Sequence, residues 1–195
     1  MRYALLIVAG GLSGIANAQP AARDAYLGLG RGELAYEIRS DGEKFFDTTS
    51  VAWRLYGGFR LSRYWQFEGS YQVTQTASRS GLPKSVEELA FGQLPAGAAA
   101  TTRARLEIAT LRALRLFPYS WGSVFAGFGV SGAAVDTEFE VTSSRVVGAG
   151  FHISKNGLNL ATGAQWDFQA VSLRLEYDWW DADMSAIELS MHRRL

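Results

Sequence analysis

The sequence predicts an all-β fold, an eight-stranded antiparallel up-and-down transmembrane β-barrel with a polar interior, preceded by a signal peptide. Three observations predict it. The first is a period-two alternation of apolar and polar residues, most regular over Val51–Gln75. There Trp65, Phe67, Gly69, Tyr71 and Val73 alternate with Gln66, Glu68, Ser70, Gln72 and Thr74. One apolar and one polar face at that period is the pattern of a strand. The second is the spacing of such segments, with short and long connections in turn. The third is the placement of Trp and Tyr next to the short connections.

Eight strands are read in order: Ala25–Ile38, Val51–Leu61, Trp65–Ala77, Arg105–Phe117, Ser123–Ala133, Leu158–Asp167, Val171–Trp180 and Ser185–Leu195. Each is about 10 to 14 residues, against about five or six in an ordinary strand. Ser62–Tyr64, Pro118–Gly122 and Phe168–Ala170 read as tight turns. The long loops are 39–50, 78–104 and 134–157, and Asp181–Met184 is a short connection on the same side. Within the second loop, Pro83–Phe91 is compatible with a turn or two of helix. Val146–His152 reads as an extension of its hairpin above the barrel rather than a ninth strand. The uncharged run Leu116–Val135 has the length of a membrane helix. Pro118, the glycines at 122, 127, 129 and 132, and its period of two favour a strand, a turn and a strand.

Residues 1–18 form a secretory signal: Arg2, an apolar core Tyr3–Ile15 and the small-x-small site Ala16-Asn17-Ala18. Residues 19–195 are then one barrel domain. Lys plus Arg and Asp plus Glu both number 19, and no basic stripe is present, so nucleic acid is not an expected partner. With no cysteine, neither a disulfide nor a thiolate zinc site can form. The two histidines, His152 and His192, are far apart in the chain, and no metal or cofactor is expected.

The decisive question is which face looks outward. A soluble lipocalin-like carrier buries the apolar face, whereas a membrane barrel turns it to lipid. Aromatics gather at the tight turns: Tyr64, Trp65, Tyr119, Trp121, Trp166 and Phe168. Tyr71, Tyr177 and Trp179 lie toward the other strand ends. Two such girdles mark the two membrane interfaces. The polar face carries charges of both signs, as a narrow interior requires. The expected lumen network is Arg54, Arg60, Glu68, Gln72, Gln165, Arg174, Glu176 and Glu188. Glycines at 28, 30, 58, 127, 129 and 163 lie on or beside that face and make room for it. Arg105–Phe117 and Ala25–Ile38 phase poorly: in the former, Ile108, Leu114 and Leu116 share a face with Arg112, and either a bulge or a strand rising out of the membrane would reconcile them.

Two stretches, Leu55–Tyr71 and Ala161–Asp181, carry a resemblance to the small outer-membrane barrels typified by the OmpA transmembrane domain. Both show a Gly-aromatic strand or an L-R-x-E-Y strand with an inward Glu. The resemblance implies an outer-membrane location, contact with lipid and lipopolysaccharide, and a role in envelope integrity or surface interaction. It also implies inward charges at Arg54, Glu68, Arg174 and Glu176. The terminal strand IELSMHRRL resembles the segment read by the outer-membrane assembly machinery, with Leu195 where an aromatic is usual and Arg193 where an apolar residue is usual. No periplasmic domain after Leu195 is expected.

The leading functional expectation is a non-enzymatic barrel with a largely plugged lumen, meeting host or cell-surface ligands through its long loops. Arg79, Lys84, Glu87, Glu88, Asp136, Glu138, Glu140 and Arg145 give those loops mixed charge. A narrow pore is one alternative. A lipid A-modifying enzyme is another, because His152-Ile153-Ser154 resembles the His-x-Ser-Asn of outer-membrane lipid A deacylases. Lys155 interrupts the Ser-Asn step, and Trp166 and Asp167 stand about a dozen residues on, where no well-placed acid is found.

Overall fold

A computed structural model describes residues 25–40, 43–80, 100–141, 146–180 and 184–195. The strands are β1 (Ala25–Ser40), β2 (Glu43–Ser62), β3 (Trp65–Thr74), β4 (Ala77–Ser80), β5 (Ala100–Tyr119), β6 (Gly122–Val141), β7 (Val146–Phe168), β8 (Val171–Trp180) and β9 (Met184–Arg194). All pairings are antiparallel. β3 and β4 both pair with β5 and form one interrupted stave, so nine segments make eight staves. The β3–β5 ladder closes the sheet, which leaves no edge in that part of the wall. The signal peptide, Pro83–Phe91 and the connection 181–183 lie outside the described residues.

The faces are as the alternation requires. Phe67, Leu173, Leu175 and Leu189 are 41%, 38%, 45% and 59% exposed, while Glu68 and Arg174 are 3% and 0% exposed. Exposed Leu27, Leu29, Leu55, Phe128, Leu160 and Met191 extend the apolar surface around the barrel. The ten residues of β8 cover about 33 Å along the strand, which at a tilt of about 40° rises about 25 Å, the height of a lipid-facing band. An eight-stranded lumen has room only for side chains. Gly28 and Gly30 show how tightly it is filled. A Cβ at Gly28 would sit 2.4 Å from the Tyr56 ring, and one at Gly30 would sit 2.3 Å from Glu188 Oε1.

Several strand boundaries differ from the sequence reading. Residues 43–50 are strand rather than loop, residues 78–80 and 100–104 are strand within the expected loop 78–104, and β6 runs on to Val141, while β7 begins at Val146 as the expected hairpin extension requires. The last two continue the hairpin above the barrel. The apolar-out pattern used to find strands stops at the end of the membrane band, but the hydrogen-bonded ladder does not. Beyond it the phase inverts: Leu34, Tyr36, Ile38, Phe46, Leu106, Ile108, Phe139 and Trp180 point inward and are buried. Asp47, Arg103, Arg105, Glu138 and Glu140 are exposed around them. Inversion also accounts for the poor phasing of Arg105–Phe117. The β5 ladders to β3 and β6 run without a register shift, so no bulge is present there. Ile108, Arg112, Leu114 and Leu116 all face the lumen, which is apolar above and below its charged middle.

Candidate functional site

The middle of the lumen holds three guanidinium groups and four carboxylates, each 4% exposed or less: Arg54, Arg112 and Arg174 with Glu68, Glu176, Asp178 and Glu188. Five staves contribute. Gly58↔Glu68 and Glu68↔Arg112 register pairs bring β2, β3 and β5 together. Glu176 and Glu188 face each other directly across β8 and β9. Like charges so placed repel. Arg54 resolves this by donating through Nη1 to Glu176 Oε1, and at 3.3 Å to both Glu188 Oε1 and Asp178 Oδ2. Its Nη2 donates to Glu68.

Arg112 occupies the opposite side. Its Nε donates to Glu68 Oε1 at 3.0 Å, Nη1 to Asp178 Oδ1 at 2.7 Å and Nη2 to Glu176 Oε2 at 2.8 Å. Arg174 donates to Glu68 Oε2 at 2.6 Å and to Gln165 Oε1 at 3.2 Å. Its guanidinium carbon also lies 5.1 Å from the centre of the Phe125 ring and 5.2 Å from that of Tyr56. Glu68 is the hub, accepting from all three arginines and, at 3.0 Å, from the Tyr26 hydroxyl. Below, Tyr56 Oη lies 3.1 Å from both Ser190 Oγ and His192 Nδ1. Charge-assisted, forked hydrogen bonds of this kind hold a buried ionic cluster together.

Six of the eight residues expected in the network meet here. Arg60 stands half-buried at the turn-end rim, outside the cluster. Gln72 is buried in the lumen with Nε2 unbonded. The expected network left out Asp178 and His192, although their alternation puts them on the polar face, and sequence reasoning missed Arg112, Tyr26, Tyr56 and Asn159, whose Nδ2 donates to Asp178 at 3.2 Å. Asp178 was discoverable, since it alternates in phase with Arg174 and Glu176. Arg112 was masked by its leucine neighbours on the same face.

Above the charged waist the lumen holds an apolar cap, a cluster that includes Leu34, Tyr36, Ile38, Phe46, Leu106, Ile108 and Trp180. Outside, the tight-turn girdle is visible as a stack of Tyr119 on Trp121 at 5.7 Å and Trp121 beside Trp166 at 5.8 Å. Tyr64 and Trp65 are half-buried, and Phe168 is exposed. Tyr71, Tyr177 and Trp179 are exposed on the outer face toward the other end, where the Tyr71 hydroxyl donates to Glu107 at 2.6 Å. Beyond the band, charges pair: Lys44 with Glu37 and Asp47 at 2.7 Å, and Arg103 with Glu140 at 2.9 Å. Hydrogen bonds to Asp47 and Glu37 raise the Lys44 amine above its ordinary range.

His152 and Ser154 lie on the outer face of β7, both exposed. His152 Nδ1 is 2.7 Å from Asp136 Oδ1 on β6, a carboxylate that the sequence reading did not place beside it. Ser154 stands four residues beyond Leu158, about 13 Å along the strand from that edge of the apolar band. Among the described residues, no group of three or more His, Cys, Asp or Glu could hold a metal ion.

No protein-family model matches the sequence, and no curated protein does. Solved structures share the fold. Ail, the attachment invasion locus protein of Yersinia pestis, matches at a TM-score of 0.51 and 16% identity, over 88% of this chain and 99% of that one. A second Ail structure, with a TM-score of 0.50, holds the heparin analogue sucrose octasulfate. Neisserial surface protein A matches at 0.55 and 13% identity, over 88% and 97% of the two chains. The N-terminal β-barrel domain of Pseudomonas aeruginosa OprF matches at 0.56 and 9% identity, over 89% and 98%. Closed pairing, an outward apolar band and these neighbours agree: the chain has the fold of the small eight-stranded outer-membrane β-barrels.

Proposed function

We propose that this chain is a non-enzymatic, non-conducting outer-membrane barrel whose biological contacts are made by the long loops. The observation that carries the closed lumen is the waist, where seven charged side chains interlock across the bore beneath an apolar cap. Ions do not cross such a plug unless its hydrogen bonds break together. Purified protein in a planar bilayer is therefore expected to give no steady single-channel conductance, and a large steady conductance would overturn the reading.

The β1–β2, β4–β5 and β6–β7 hairpins extend past the membrane band, into the segments 39–50, 78–104 and 134–157 that the sequence marks as the long-loop side. That geometry supports a surface-interaction role. The heparin analogue on Ail makes an anionic glycan a reasonable first probe of this chain. A variant lacking residues 81–99 is expected to keep the heat-modifiable gel migration of a folded barrel while losing adhesion to cells or immobilised heparin. Loss of neither adhesion nor glycan binding would refute the loop assignment. Passage through the barrel assembly machinery by way of β9 is proposed on the same footing, and Leu195→Phe is expected to raise outer-membrane yield.

A second reading has one observation in its favour. Asp136 and His152 form a dyad with Ser154 on the same face, as a base and nucleophile would require. Against it stand the absence of a His152–Ser154 hydrogen bond and the height of Ser154 above the apolar band. Mass spectrometry of lipid A from cells expressing the protein decides: unchanged acylation rules out deacylase activity.

A further inference from the structure

The two ends of the barrel handle charge differently. At the long-loop end the ionic residues are largely paired with one another. At the tight-turn end, the charged side chains among the described residues are Arg60, Arg63, Arg115, Arg193 and Arg194 against the one side-chain carboxylate of Asp167. Only Arg194 reaches it, at 3.1 Å. Arg63 and Arg115 instead lie against aromatic rings. The Arg63 guanidinium carbon is 4.5 Å from the Tyr64 ring centre. That of Arg115 is 4.9 Å from Tyr64 and 5.2 Å from Trp65.

This arrangement is held by the sheet. Arg115 and Trp65 are register partners across β3 and β5, and the Leu116 amide donates to the Tyr64 carbonyl at 2.8 Å. Arg115 therefore sits on the outer face, between Ala113 and Phe117, within the aromatic girdle. A cation there faces the headgroup layer, where its burial is far less costly than at the bilayer centre. A ring next to a guanidinium takes up part of its charge without using its N–H groups. Those N–H groups suit the two oxygens of a phosphate.

We infer that Arg115 and Arg63, framed by Tyr64 and Trp65, form a binding site for the phosphate of an anionic phospholipid in the leaflet facing the tight turns. The occupant is a phospholipid rather than a soluble phosphate, because the apolar band begins two residues along the wall from Arg115, at Phe67 opposite Ala113, and continues through Leu111, where it takes acyl chains. The inference rests on the outward orientation of the band and is independent of what the loops bind.

Spin-labelled phosphatidylglycerol and phosphatidylcholine, each titrated against the reconstituted full chain, test it by the fraction of motionally restricted lipid. An about five-fold preference for phosphatidylglycerol is expected, the size of one interfacial arginine acting on an anionic lipid. Arg115→Gln should abolish most of it, Arg63→Gln part of it, and Arg115→Lys should retain only part because the fork is lost. Arg103→Gln, at the paired end, should leave it unchanged. Heat-modifiable migration establishes that each variant is folded, and Arg63→Gln, on an exposed turn, provides a second test should Arg115→Gln not fold. Excess inorganic phosphate that removes the preference would show the site to be a soluble-anion site and overturn the lipid assignment. Absence of a preference in the parent chain would overturn it too. So would equal loss in Arg103→Gln, or full retention in the Arg63→Gln, Arg115→Gln double variant.

Discussion

Strand β1 shows two kinds of protein in one element. At its turn end, Leu27 and Leu29 face outward and Gly28 and Gly30 face the lumen. A few residues later Leu34, Tyr36 and Ile38 face the lumen and are buried. No register shift intervenes before Ile38. The backbone keeps its period of two while the apolar residues change sides, because the solvent outside the wall changes. Where lipid touches the barrel, burial drives apolar side chains out and polar groups must find partners within. Where water touches it, the wall behaves as an ordinary soluble sheet, polar outside and apolar inside. The interior accordingly changes from an ionic waist to an apolar cap within one lumen.

The two layers should respond to substitution in different ways. The largest effect belongs to the hub of the waist. Glu68→Ala leaves Arg54, Arg112 and Arg174 short of their shared acceptor, at a cost of about 3–5 kcal/mol as for other broken buried pairs. Denaturant unfolding in phospholipid vesicles measures it, and a loss below about 1 kcal/mol would show that the cluster is not tightly coupled. Next comes overpacking of the same layer. Gly30→Ala drives a methyl into Glu188 and should cost about 1–3 kcal/mol in the same assay.

The cap should be gentler under a comparably small change. Ile108→Val removes one buried methylene and should cost about 0.5–1.5 kcal/mol. Under the proposed closed lumen it should leave conductance at zero, because the waist below is untouched. Smallest is the exposed wall above the membrane: Arg103→Gln breaks its pair with Glu140 for about 0–1 kcal/mol, and less in high salt. An Arg103 effect as large as that of Glu68 would erase the distinction between the layers.

The same inversion explains what was legible in the sequence. β8 was read to the residue, because Leu173, Leu175, Tyr177 and Trp179 alternate with Arg174, Glu176 and Asp178 wholly inside the membrane layer. β2 was read only from Val51, since residues 43–50 lie where lipid no longer selects outward apolar residues. The waist was partly legible for a related reason. Arg54, Glu68, Arg174 and Glu176 stand on clean polar faces. Arg112 stands between Thr110 and Leu114 on a face that crosses from cap to waist to the lower cluster of Leu114, Leu116 and Phe125. The pairing of Glu68 with three arginines from three staves depends on barrel closure and strand stagger, which local alternation does not encode. His152 and Asp136 likewise meet only through the β6–β7 register.

Because the chain has no cysteine, single cysteines can carry nitroxide labels without background. Labels at Leu27, Leu173, Leu175, Leu189, Ala186 and Ser190 in a lipid bilayer test the two-layer account most directly. The account predicts high collision rates with oxygen at Leu27, Leu173, Leu175 and Leu189, and protection at Ala186 and Ser190. Protected leucines together with lipid-accessible Ala186 and Ser190 would contradict it.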